Sequence, residues 1–217
     1  MNETTELELK EYISLMKEQP ELFAYSEQIP IETDIEKIRR FIKENNCKIG
    51  VLYHSGYNML VTDLIKDGKG GYYVYERIIP SKKGAVVAAA SYKGKLVLLK
   101  QYRHALRDYQ LAFVRGFGEN GISPQENAAK EISEELGVEA VSCKYLGDIS
   151  PDSGLTGCIA SVFFCEIDKK PVNMECEGIK EIFLLSVEEL EKLISDGKIT
   201  DGFTLAAYAL YKNKITI

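Results

Sequence analysis

GFGENGISPQENAAKEISEELGV, residues 116–138, joins a glycine-rich approach to a short acidic helix. Ser123 offers an N-cap hydroxyl, Pro124 takes the first helical position, and Glu126 stands three residues after the serine, the pattern of a capping box. Gly137 supplies the stop. At about 100° per residue, Ala128, Ile132 and Leu136 share one side suited to packing on a sheet. Glu131, Glu134 and Glu135 are expected in a separate arc, facing away from the core. Like charges at this spacing repel by roughly 0.2–0.5 kcal/mol per pair, and no Lys or Arg follows four residues after any of them. A cation would reverse that cost. Oxygen-only ligands with water left in the shell suit Mg²⁺ or Mn²⁺, ions that bridge the oxygens of a diphosphate. A merely solvated acidic face is the alternative that charge alone leaves open.

Outward from this stretch, GAVVAAASYKGKLVLLKQYR (84–103) reads as two strands around a Lys-Gly turn, and its nearly continuous apolar runs predict burial on both faces. KYLGDIS and ASVFFCEID read as further strands. IFLLS followed by VEELEKLISDG reads as a strand running into a helix, and TLAAYALYK as a last helix. Upstream, residues 5–18 and the segment ETDIEKIRRFIKENN carry the apolar spacing of two amphipathic helices. KIGVLYHS, YNMLVTDLI and GYYVYERII then read as an antiparallel meander. The composition changes at PSKKG (80–84). We expect an N-terminal extension over residues 1–82 and a main domain over 83–217.

At 217 residues, the chain has room for one well-buried domain and a smaller appendage. A net charge of −6 and a pI near 5.2 give no long-range attraction for a phosphate backbone, so no nucleic-acid partner is expected. Five scattered cysteines without CxxC spacing predict neither a disulfide framework nor a zinc site, and read as small buried hydrophobes in a reducing compartment. The acidic start MNETTELELKEY lacks the apolar segment of a signal peptide, and no apolar run approaches ~18 residues. A cytoplasmic protein with no membrane partner is expected.

The quoted stretch resembles the Nudix box, G-x5-E-x7-R-E-U-x-E-E-x-G-U with U a bulky aliphatic residue. In register it gives Gly116, Ile122 for the first Glu, Lys130 for Arg, then Glu131, Ile132, Glu134, Glu135, Gly137 and Val138. Seven of nine defined positions match, a specific pattern that overrides the reading as plain surface charge. In the family, the first Glu and the Arg are described as a supporting ion pair. Their joint replacement by Ile122 and Lys130 predicts a less rigid loop more than a lost metal site.

The likeness extends over residues 85–212 and is greatest to the ADP-ribose pyrophosphatase branch. LVLLKQYR ends in a QYR segment closed by Arg103. The branch's E-L-P-A-G approach is altered here, with Ala112 at the usual Glu and Val114-Arg115 for Pro-Ala. DISPDSGLTG resembles its S-P-G loop. The resemblance implies an α/β/α sandwich around a mixed sheet. It also implies a homodimer, since relatives exchange N-terminal strands across a two-fold axis.

By carry-over, Glu131 and Glu135 bind a divalent metal, with Glu134 a ligand or the base for the attacking water. The Arg115 carbonyl sits where the branch uses a backbone oxygen as a ligand. Arg103, Gly116 and Gly118 are candidate substrate contacts, and Glu175 or Glu177 candidate bases from a mobile loop. His54, His104 and the tyrosines Tyr72, Tyr73 and Tyr75 are expected in surface or packing roles. The function implied is Mg²⁺-dependent hydrolysis of a nucleoside diphosphate linked to another moiety, ADP-ribose to AMP and ribose 5-phosphate first. The alternative is a weakly catalytic Nudix domain acting as a nucleotide sensor, which Ile122 and Lys130 favour.

Overall fold

A computed structural model of the chain describes residues 3–174 and 178–215, and divides into two compact units. The first comprises Met1–Ser81 and Asp152–Gly157; the second comprises Lys82–Pro151 and Cys158–Ile217.

The first unit opens with helix α1 (Glu3–Glu18), a 3-10 turn at Pro20–Phe23 and helix α2 (Ile35–Asn45). Asp34 caps α2 by accepting from the amides of Glu36 and Lys37, and Asn46 ends it in the left-handed region. Strands β1 (Gly50–His54), β2 (Asn58–Lys66) and β3 (Tyr72–Pro80) form an antiparallel sheet in that order. Leu9, Tyr12 and Leu15 of α1 and Ile38 and Ile42 of α2 bury against Val61 and Leu64 of β2.

Three acids are enclosed among the described residues of this unit, Glu8, Glu32 and Asp63, and Glu8 is paired with Lys48 Nζ at 2.8 Å. Asp63 receives the Tyr12 hydroxyl at 2.5 Å and Arg77 Nε at 2.6 Å. Glu32 receives the Tyr72 hydroxyl at 2.9 Å and lies 3.5 Å from Lys66 Nζ. Such enclosure is tolerable only with these partners, because a lone buried carboxylate is expensive. Tyr72 thus has a packing and bonding role, and Tyr75 donates to the Gly154 carbonyl at 2.6 Å. Asp152–Gly157 is fastened to β3 by the Ile78 amide on the Leu155 carbonyl and the Gly157 amide on the Ile78 carbonyl. The loop that resembles S-P-G therefore belongs largely to the first unit.

The second unit holds β4 (Ala85–Tyr92), β5 (Lys95–Arg103), β6 (Asp108–Ala112), β7 (Val114–Gly116), α3 (Pro124–Leu136), β8 (Ala140–Ile149), β9 (Ala160–Ile167), β10 (Ile179–Leu185), α4 (Val187–Ser195) and α5 (Gly202–Lys214). Among the described residues its sheet runs β10-β5-β4-β9-β8, with β6 paired to β5 and β7 to β4. It is mixed: β4 and β9 are parallel, and the other pairs antiparallel.

Alternation along β4 explains its continuous apolar run. Val86, Ala88 and Ala90 face α3 through Ala128, Ile132 and Leu136, while Val87 and Ala89 face α4 and α5 through Leu190, Ala207 and Tyr208. The result is the expected α/β/α sandwich. The short strands β6 and β7 were not legible as strands. One is largely exposed and the other is three residues long, so neither carries a periodic apolar signal.

Candidate active site

Helix α3 begins as its sequence dictates. Ser123 accepts from the Glu126 amide, Glu126 accepts from the Ser123 amide at 2.7 Å, and Gly137 closes the helix at φ 64°. The orientation of its acids differs from the expectation of one outward arc. Glu134 is exposed, Glu131 is half-buried and Glu135 is only 2% exposed, with both carboxylate oxygens withdrawn from solvent. The reason lies in the helical period: residue 135 follows Ala128 by seven positions, within about 20° of two full turns. Glu135 therefore borders the apolar stripe, and Glu134 alone lies opposite it.

The approach to α3 is built by close contacts. The Glu131 carboxylate lies against β7, where a Cβ at Gly116 would fall 1.8 Å from its Oε1. Gly118 backs onto the preceding chain, where a Cβ would meet the Lys83 carbonyl oxygen at 1.7 Å. Asn127, 1% exposed, donates to the Phe117 carbonyl at 2.8 Å and to the Gly84 carbonyl at 3.2 Å. It clamps both ends of this close approach to the helix. Asn127 was missed by sequence reasoning, because an Asn in the first turns of a helix ordinarily reads as surface.

Lys130 Nζ lies 2.5 Å from Glu119 of the loop and 3.5 Å from Glu134 one turn on. Each holds the other's charge: the Lys130 hydrogen bond keeps the Glu119 carboxyl below its ordinary range, and the Glu119 hydrogen bond raises Lys130. Arg115 of β7 lies 3.2 Å from the buried Asp201, which caps α5 through the amide and hydroxyl of Thr204. Its guanidinium also sits 4.6 Å from the Phe203 ring centroid.

The protein-family model that matches this chain is the NUDIX domain, over residues 81–204, more than half the chain. The chain belongs to the NUDIX family. The chain is also similar to several named proteins. It is 27% identical over 139 residues to the ADP-ribose pyrophosphatase of Bacillus subtilis, covering 62% of this chain and 74% of that protein. It is 32% identical over 77 residues to the ADP compounds hydrolase NudE of Escherichia coli, covering 36% of this chain but only 41% of the relative. A match to the mouse ADP-sugar pyrophosphatase, 34% identical over 67 residues, spans 31% of each. In fold, the chain is similar to a crystal structure of an ADP compounds hydrolase with a TM-score of 0.67, covering 76% of this chain and 90% of that one at 18% identity.

The fold sets Glu131 against Gly116 at the junction of β7 and α3, with Glu135 buried and Glu134 exposed on the same helix, while the Arg115 side chain turns to Asp201 and Phe203 of α5. Arg103 ends β5 opposite Asp108 of β6, and α3 packs on β4, β7, β8 and β9. His54 is exposed beside Glu11 at 2.7 Å and His104 is exposed beside Arg107 at 3.0 Å, both surface roles. Of the cysteines, Cys165 is buried, while Cys47, Cys143 and Cys158 are partly so. Glu175 and Glu177 lie outside the described residues.

The donors present suit a hard divalent ion of the kind Nudix proteins generally use. They are carboxylates on one helix together with a glycine strand whose backbone Glu131 touches without an intervening side chain. Among the described residues, no three His, Cys, Asp or Glu side chains already converge as a cage.

Proposed function

We propose that this Nudix protein hydrolyses the diphosphate bond of a nucleoside diphosphate linked to a second moiety, with ADP-ribose to AMP and ribose 5-phosphate the first candidate. The observation that carries the reading is the junction of Gly116 and Glu131, which sets a carboxylate against bare backbone beside the enclosed Glu135. The ADP-compound names of its relatives support the substrate class.

Glu131 and Glu135 are the residues to hold Mg²⁺ or Mn²⁺, with the Arg115 carbonyl as a backbone donor. When bound, such an ion lowers the pKa of its water and offsets charge on the diphosphate. Glu134, the exposed acid, is the proposed acceptor of the attacking water's proton or a further ligand. The water oxygen bonds to one phosphorus while the bridging P–O bond breaks, and positioning and electrostatics supply most of the acceleration. Arg103 and Gly118 are the proposed substrate contacts, and Glu177 is a second candidate base.

Residues 1–82 are proposed to support a homodimer, in line with the exposed Tyr53, Tyr57 and Tyr73 of the first unit, and the protein to act in the cytoplasm. Among the described residues, no helix is long and apolar enough to cross a membrane.

The test is incubation with Mg²⁺ or Mn²⁺ and a panel of ADP-ribose, NADH, FAD and nucleotide sugars. Cleavage of at least one is expected, and none in any well overturns the reading. Ile122 favours the second reading, a nucleotide-binding module with slow turnover. Calorimetry that finds tight binding of an uncleaved nucleotide would select it.

A further inference from the structure

The Nudix pattern places an acid at position 122 and a cation at position 130, and here Ile122 leaves that acid missing. The cation has a different partner: Lys130 Nζ is bonded to Glu119 at 2.5 Å, three residues earlier in the same loop. Both side chains are about half exposed, so the pair adds little to folding stability. Its consequence is positional.

Lys130 precedes Glu134 by one helical turn, and an untethered ammonium at that spacing closes on the carboxylate. In this structure Glu119 takes the shorter contact, and Glu134 remains at 3.5 Å. The same contact fixes the middle of the loop. Its start is held by Asn127 on the Phe117 carbonyl and its end by Glu126 on the Ser123 amide. The close approach at Gly118 lies between the first two of these fastenings.

We propose that Glu119 is the relocated partner of the box cation. As a positioning residue, it holds Lys130 between itself and Glu134 and keeps the loop seated beside Gly116 and Glu131. The inference rests on the metal-dependent hydrolase reading. It also accounts for why Ile122 need not cost the site its order: the acid has moved along the loop, and Lys replaces the planar guanidinium because the new contact is a single ammonium–carboxylate bond.

The experiment compares the full-length parent with Glu119→Ala, Glu119→Asp and Glu119→Ala combined with Ile122→Glu. Thermal melts verify folding, the electron paramagnetic resonance of free Mn²⁺ measures metal affinity, and turnover of the best panel substrate gives kcat and KM. Glu119→Ala should weaken Mn²⁺ binding by about three- to tenfold and lower kcat by more than it raises KM. Glu119→Asp should keep most of both. Ile122→Glu in the alanine background should restore Mn²⁺ affinity to within about twofold of the parent, since it returns a charged partner to Lys130.

A Glu119→Ala protein that binds Mn²⁺ like the parent overturns the inference, and so does a folded double variant no better than the single one. A parent that binds Mn²⁺ but cleaves nothing defeats the proposed substrate class alone, and the affinity comparison still decides the role of Glu119. A parent that binds no Mn²⁺ overturns both.

Discussion

The guanidinium of Arg115 and the carboxylate of Asp201 meet at 3.2 Å, although 86 positions separate them in the chain. The contact ties the strand that leads into the Nudix box to the N-terminus of α5, where Asp201 also caps the helix. Because Asp201 is buried, replacing it with Ala removes the cap and leaves Arg115 without this partner. The loss of unfolding free energy should be about 2–4 kcal/mol, read in urea. Arg115→Ala leaves Asp201 its two Thr204 donors and should cost less, about 1–2 kcal/mol.

Two glycines in the box approach are predicted to fail in different ways. At Gly118 an added Cβ meets a backbone carbonyl, which has no rotamer through which to escape. Gly118→Ala should lower stability by about 2–4 kcal/mol, with a matching fall in Tm. At Gly116 the obstacle is the end of the Glu131 side chain, which can turn away. Gly116→Ala should therefore stay near parental stability, within about 1 kcal/mol, while its turnover falls at least ~10-fold because Glu131 is displaced.

Glu135→Gln keeps shape but removes an enclosed charge. Turnover should drop at least ~100-fold if this carboxylate holds the metal. Parental turnover in this variant would remove Glu135 from the proposed metal set.

Glu32 sets a pH dependence in the first unit. Burial pushes its carboxyl upward, but the Asp34 amide, the Tyr72 hydroxyl, Lys66 and Lys37 outweigh that and hold it below the ordinary 4.5. A depressed folded-state pKa gives stability that is complete above pH 4.5 and is lost as pH falls below it through the folded value. Denaturant unfolding of the parent should therefore weaken below that pH, and Glu32→Gln should show a shallower decline. Equal slopes for the two proteins would remove Glu32 as the cause.

Much of α3 was readable because its signals are local. Ser123, Pro124, Glu126 and Gly137 act within a few residues of one another, and hydrogen bonds of that range are encoded by spacing. The β4–β5 hairpin was readable for the same reason, with Lys93 and Gly94 both at positive φ in its turn. The fixed intervals of the Nudix box likewise needed no coordinates.

The tertiary structure decided what those residues face. Sheet packing buries the stripe of Ala128, Ile132 and Leu136 and, with it, the Glu135 that borders it. Chain crossings brought Asp201 to Arg115 and seated Asp152–Gly157 against β3, contacts that no local periodicity records. The sequence by itself determined the helix, its caps and the register of its acids, because those depend on neighbours a turn away. The helical period already set Glu135 beside the apolar stripe, whereas only the folded chain decided that Glu131 rests on Gly116 and that Glu119 holds Lys130. Those outcomes depend on how separate segments share the same few ångströms of space.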